Sequence, residues 1–185
     1  MTEIQKTKIL HFFNVLDHDG NGILEQEDFE LVSESICDIR GLEVNSTERL
    51  NLGIKSHAIF VQILKDLEKG TAIIRREEWL KFFERQILSR SEDYITKVVS
   101  YIFSVFDQDG DGHIDEKEYL DMFKAYGLYT AQAKKAFDLL DLNDDSKLSK
   151  EELVKAAEEF FFAKDEKAPG NWIFGDWRNE IPEDD

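Results

Sequence analysis

The chain is 185 residues long and carries 40 acidic against 23 basic side chains, a formal charge of −17, with 42% hydrophobic residues that include 14 Phe. That acidity excludes nucleic acid and anionic membrane surfaces as partners, since both would be repelled, and makes cations the natural ones. The apolar content suffices for a sizeable core in one compact unit or two small lobes and sets disorder aside except at the ends.

The opening MTEIQKTK has no apolar run of signal-peptide length, Thr2 removes N-myristoylation, and no later stretch is apolar enough to span a bilayer. The expectation is a cytoplasmic protein with no membrane anchor. Cys37 is the only cysteine; it excludes an internal disulfide, agrees with a reducing compartment and reads as core material.

Ile9, Phe12, Phe13 and Leu16 recur at helical spacing and lead into DHDGNGILEQED, Asp17 to Asp28. In that run oxygens alternate as a calcium loop requires: Asp17, Asp19, Asn21, the Ile23 carbonyl, Glu25 and Asp28, with Gly22 to turn the chain. Asp28 stands where glutamate is the rule. One methylene shorter, it reaches fewer coordination positions, which suits the six-coordinate preference of Mg²⁺, so this first loop is the one expected to accept Mg²⁺.

Gly41 and Gly127 mark helix ends. Asn45-Ser46-Thr47 matches a glycosylation triplet, but without a secretory signal its expected task is to cap the helix that follows. Further on, Ile74 with Trp79 repeats the spacing of Leu24 with Phe29, Ile114 with Tyr119, and Leu148 with Leu153. This aligns LEKGTAIIRREE, Leu67 to Glu78, as a second loop whose first, third and fifth residues are Leu67, Lys69 and Thr71. It offers no carboxylate there, so it binds no metal and serves a structural purpose. A frame shifted by one would use Asp66, Glu68 and Glu77 but misplaces the glycine turn and the apolar residue.

Ile95, Val98, Val99, Ile102, Phe103 and Phe106 form the next helical stripe, ahead of DQDGDGHIDEKE. Asp107, Asp109, Asp111, the His113 carbonyl, Asp115 and Glu118 fill every ligand place, and Gly112 supplies the turn. With five carboxylates, this loop is the expected tightest Ca²⁺ site. The last loop, DLNDDSKLSKEE, offers Asp141, Asn143, Asp145, the Lys147 carbonyl, Ser149 and Glu152, with Ser146 in place of glycine at a strain of about 1 kcal/mol. Asp115 with Glu118 and Ser149 with Glu152 also form capping-box patterns, so one residue both binds metal and starts a helix.

The fold expected is all-α: four helix-loop-helix units in two packed pairs, with short β-bridges joining Leu24 to Ile74 and Ile114 to Leu148. Residues 1–90 hold the first pair, 91–163 the second, and 164–185 a tail whose Trp172, Ile173, Phe174 and Trp177 are costly to leave in water and should plug a groove between lobes. The closing EIPEDD is polar and expected to fray.

Four such EF-hand units, the silent second loop, EEWLKFF after it and PGNWIFG near the end resemble the sarcoplasmic calcium-binding protein family, with its calexcitin-like and calerythrin-like members. The resemblance covers nearly the whole chain. It implies two lobes packed face to face and a cytosolic Ca²⁺/Mg²⁺ buffer or signalling relay without catalysis; the three loops themselves give three Ca²⁺, and a monomer is expected. Met1 and Met122 are the only methionines, too few for a promiscuous target groove, though a sensor with one narrow protein target remains an alternative. Another is a luciferin-type EF-hand protein binding a hydrophobic ligand. His18 and His113 lie inside loops, leaving His11 and His57 as polar candidates for a cavity. No phosphate cradle, paired Cys/His spacing or nucleophile motif supports an enzyme.

Overall fold

The computed structural model describes residues 1–89 and 92–178. Its helices run in chain order as α1 (Glu3–Leu16), α2 (Gln26–Ile39), α3 (Thr47–Asp66), α4 (Arg76–Ser89), α5 (Glu92–Phe106), α6 (Glu116–Ala125), α7 (Ala133–Leu140) and α8 (Lys150–Phe162). Four short strands lie between them: β1 (Ile23–Leu24), β2 (Ile74–Arg75), β3 (His113–Asp115) and β4 (Lys147–Ser149). The expected all-α architecture with small β-bridges is the one observed. β1 pairs antiparallel with β2, Leu24 opposite Ile74, and β3 with β4, Ile114 opposite Leu148. All four of those side chains are fully buried, which fixes the register of each ladder.

Helix boundaries follow local chemistry. Ser46 Oγ accepts from Arg49 N at 3.2 Å and starts α3. Gly41 and Gly127 each take φ +63°, and Leu42 N–H then reaches back to Cys37 O at 2.9 Å as Leu128 N–H does to Phe123 O at 2.8 Å. Cys37 is buried, as core material should be.

Aromatic rings assemble the centre. Phe12 on α1 stacks on Phe174 of the tail at 4.7 Å and meets Phe161 of α8 edge-on at 5.5 Å, while Phe83 of α4 stacks on Phe161 at 5.1 Å. Trp79 is fully buried, and its indole N–H donates to Ile9 O at 3.2 Å. Ile173, Phe174 and Trp177 are buried, while Trp172 is half-buried beneath the Lys135 ammonium at 3.9 Å. Tyr119 of α6 donates to Ile173 O at 3.0 Å, and His11 of α1 bonds Phe174 O at 2.7 Å, so the tail is held by both halves of the molecule. A carbonyl only accepts, so His11 Nε2 carries the proton; burial lowers the pKa of this imidazole. Gly170 passes so close to α8 that a Cβ there would lie 2.3 Å from Ala156 O. The EIPEDD segment lies outside the described residues.

A buried lysine locks this arrangement. Lys8 has no exposed surface, and its ammonium donates to Glu159 O at 3.1 Å, Ala163 O at 3.0 Å and Asn171 Oδ1 at 2.8 Å. All three ammonium protons are therefore used, two on carbonyls at the C-terminal end of α8, where Glu159 O also takes the Ala163 N–H, and one on the tail. Burial pushes the Lys8 pKa down to about 8, against the opposing pull of Glu159. An unfolded lysine titrates near 10.4, so between about pH 8 and 10 the unfolded chain holds the extra proton, and stability rises with pH. The Lys8→Met variant should lose about 1–3 kcal/mol, because it strands buried acceptors. In urea unfolding, the wild-type advantage over this variant should grow from about pH 7.5 to 9.5; an advantage that shrinks would contradict the lowered pKa of Lys8.

Candidate metal centres

Three loops share one backbone scaffold. The first carboxylate accepts from the N–H five residues on: Gly22 to Asp17 Oδ2 at 2.9 Å, Gly112 to Asp107 Oδ2 at 3.1 Å and Ser146 to Asp141 Oδ2 at 2.8 Å. The third residue accepts from the fifth, through Asp19 from Asn21 at 2.9 Å, Asp109 from Asp111 at 3.0 Å and Asn143 from Asp145 at 2.9 Å. The fifth accepts in turn from the seventh, Ile23 to Asn21, His113 to Asp111 and Lys147 to Asp145, at 2.8–2.9 Å. Each N–H bond turns a side-chain oxygen toward the middle of the loop.

The twelfth residue closes the ring. One oxygen of Asp28, Glu118 and Glu152 takes the N–H of Glu25, Asp115 and Ser149; the other takes that of His18, Gln108 and Leu142, at 2.7–3.1 Å throughout. Asp28, one methylene short, still reaches both. The side chains of Asp115 and Ser149 accept from Glu118 N and Glu152 N, so these ninth residues act as helix caps. Asn21 Nδ2 spans Asp19 at 2.8 Å and Glu25 at 3.1 Å. Ile23, His113 and Lys147, chosen for their carbonyls, each open a strand.

Whether a cation fits is decided by the buried oxygens. Asp17 Oδ1 and Asp107 Oδ1 are buried without a hydrogen-bond donor, a costly state for a carboxylate that a hard cation would relieve. Around them, carboxylate oxygens of Asp17, Asp19 and Asp28, and of Asp107, Asp109 and Glu118, all approach one another within 4.8 Å. Burial, with the Asp19 charge as a smaller contribution, raises the pKa of Asp17 and Asp28, and at Asp17 this outweighs the opposing pull of the Arg76 guanidinium 3.9 Å away. All-oxygen donor sets of this kind suit Ca²⁺ or Mg²⁺.

The loop at 141–152 differs. Among the described residues no such three-carboxylate group surrounds Asp141, whose Oδ1 already accepts from Asp145 N at 3.2 Å. Ser146 takes φ +64°, the strained turn its sequence implies, and Asp144 adds a second non-glycine residue at φ +57° where the other loops have Gly20 and Gly110. Asp111 also stands outside its group and pairs instead with Lys147 from the neighbouring loop. His18 and His113 are half-buried.

In the loop from Leu67 to Glu78, α3 ends through Glu68 at φ +55°, and Gly70 and Ala72 lack the left-handed turns of the other loops. Glu78 Oε2 accepts from Arg75 N at 2.9 Å, the bond its counterparts make. Its other oxygen meets the Lys69 ammonium. The protein thus supplies its own cation at the loop's third position. The shifted frame has no support, since Asp66 lies within α3 and pairs with Lys97.

This geometry defines a class. The description "EF hand domain" matches residues 98–126 and "EF hand" matches 133–156. The chain carries EF-hand domains, belongs to the EF-hand superfamily and is a calcium-binding protein of that kind. It is 27% identical over 168 residues to calerythrin of Saccharopolyspora erythraea, covering 88% of this chain and 95% of the relative. Its fold matches that of the coelenterazine-binding protein of Renilla muelleri in its calcium-loaded apo form, with TM-score 0.79, 22% identity and coverage of 95% and 99%. A sarcoplasmic calcium-binding protein from amphioxus follows, with TM-score 0.69, 16% identity and coverage of 95% and 98%. No helix among the described residues is long and apolar enough to cross a membrane.

Replacing Lys69 with Met should leave calcium stoichiometry intact and cost about 0.5–1 kcal/mol, since the pair is partly exposed. It should also speed amide exchange at Ile74 and Arg75 in metal-free protein. Unaltered exchange there would refute the stand-in role of Lys69.

Proposed function

We propose that the chain is a monomeric cytoplasmic Ca²⁺/Mg²⁺ buffer or calcium signalling relay that holds three cations, in the loops at 17–28, 107–118 and 141–152, and catalyses no reaction. The observation that carries this reading is the docked tail, whose Ile173, Phe174 and Trp177 are buried and bonded to α1 and α6. A calcium sensor offers an apolar groove to target helices as it fills, whereas here that apolar surface is covered by the chain itself. The shared scaffold of the third loop supports its inclusion, as the weakest site. Asp28 supports Mg²⁺ acceptance at the first. The N-terminal and C-terminal pairs of loops serve as the two working units, at 1–90 and 91–163, with 164–185 as the strap between them.

Titration of metal-free protein with Ca²⁺ in millimolar Mg²⁺ should leave the fluorescence of an apolar-surface dye flat or falling. Asp28→Glu should reduce the Mg²⁺ competition. A strong dye increase on filling would replace the buffer with a sensor of a narrow protein target.

A second reading rests on a specific observation. α3 stands off α5, tied to it by Lys55 donating to Ser104 O at 2.7 Å and by the Asp66–Lys97 ion pair at 3.3 Å. Between them lies a cavity of about 520 Å³ lined by Phe12, Ile63, Trp79, Tyr94, Tyr101 and Phe174, among others. Volume and lining suit a small, neutral, largely aromatic molecule, and the coelenterazine-binding relative makes this class of ligand relevant. The lining includes neither His11 nor His57, so binding without chemistry is the reading supported. Nile red should bind with quenching of tryptophan emission, and Ile63→Trp should abolish that binding; equal binding by the variant would place the dye elsewhere.

A further inference from the structure

We propose that Lys147 is a displaceable counter-ion on Asp111, through which the 107–118 and 141–152 loops set one another's cation affinity. This rests on the reading that both loops take Ca²⁺. Lys147 is the seventh residue of its own loop, the position whose carbonyl faces a cation in this motif. It opens β4 and lies opposite Asp115 across the β3–β4 ladder. Its side chain leaves the loop, and the ammonium bonds Asp111 Oδ2, on the fifth residue of the neighbouring loop.

The corresponding residues of the other loops are placed differently. Asp145 Oδ2 accepts from its own Asn143 amide at 3.1 Å, and the Asn21 amide bonds Asp19 and Glu25 within its own loop. Asp111 alone of the three is paired with an ammonium among the described residues. It is also the carboxylate absent from the group formed by Asp107, Asp109 and Glu118. The remaining groups around the pair are Asp109 and Asp115, which also attract the ammonium, and His113, whose Nδ1 lies 3.5 Å from Asp111 Oδ1.

Lys147 therefore belongs to two centres at once, one through its backbone and one through its ammonium. A cation entering the 107–118 loop must take Asp111 from Lys147. A cation entering the 141–152 loop draws on the carbonyl of the same residue, and the ladder passes that shift to β3. Both side chains of the pair are partly exposed, so the ammonium is a light hindrance that a divalent ion removes. The loop richest in carboxylates thus carries its own restraint.

The test is calcium titration of full-length metal-free protein by calorimetry, with the amide resonances of Gly112 and Ser146 reporting the two loops separately. Lys147→Met keeps the backbone carbonyl and should tighten Ca²⁺ at the Gly112-reported loop about two- to five-fold, the range of an exposed ion pair. The gain should shrink as ionic strength rises. Lys147→Arg should match wild type, and Lys150→Met, which removes the same charge at the start of α8, should produce no selective gain at Gly112. An unchanged or weaker Gly112-reported affinity in Lys147→Met overturns the proposal, as does an equal gain in Lys150→Met. Absence of any Ca²⁺ response in the wild-type loops would instead overturn the metal reading beneath it.

Discussion

The carboxylate at the twelfth position of each loop is the joint on which the remaining structure depends. In Asp28, Glu118 and Glu152 one oxygen holds the N–H at the start of the loop and the other holds the N–H that opens the exit helix. A group that touches both ends fixes how the two helices diverge, so anything altering its charge balance acts on helix geometry. A divalent cation is one such agent. Glu78 shows the same joint served by a lysine, with the ammonium of Lys69 where the other loops leave room for metal. The loop at 67–78 thus keeps its half of the β1–β2 ladder with a lysine ammonium on its twelfth residue.

That permanence has a structural consequence for the core. α3 leads into that loop and is tied to α5 by polar contacts at Lys55 and Asp66. Beneath it the aromatic side chains leave a cavity where a fully packed protein interior has few voids larger than a water molecule. Around Phe12 the aromatic packing is dense: Phe174, Phe160 and Phe161 meet it, and Lys8 cross-links α1, α8 and the tail. Phe12 and Phe174 therefore belong both to the packed cluster and to the wall of the cavity.

Most of the scaffold was legible in the sequence because it repeats. Loop spacing located the recurring hydrogen-bonded loop scaffold, the apolar eighth residue aligned Leu67 to Glu78 without any acidic signature, and that alignment produced both ladders in the observed register. The cap at Ser46, the turns at Gly41 and Gly127 and the burial of the tail followed from local rules. The lysines did not follow. Lys69 was readable as a missing ligand but not as a substitute cation, since that requires knowing where its ammonium ends. Lys8 lies four residues before Phe12, at the edge of the α1 apolar stripe, but a lysine there reads as snorkelling to solvent, and its acceptors come from the far end of the chain. Lys147 appeared only through its carbonyl. Flexible four-carbon side chains carry little pattern, and their partners are set by tertiary geometry.

These three lysines bear on a chain of charge −17 in different ways. Carboxylates gathered within 4.8 Å repel one another, and the protein tolerates that only where backbone N–H groups or cations stand between them. Lys69 neutralises one loop permanently and Lys147 borrows a carboxylate from another, whereas Asp17 and Asp107 each keep a buried oxygen with no donor at all. Lys8 lies away from the loops and spends its charge on the carbonyl end of α8 and on the tail, joining the first helix to the last. The distribution of positive charge thus separates what must hold in the absence of metal from what is left for metal to complete. The packing around Phe12 and the β1–β2 ladder are secured by lysine, and the centres at 17–28 and 107–118 retain the unmet electrostatic demand that gives a divalent cation its binding energy.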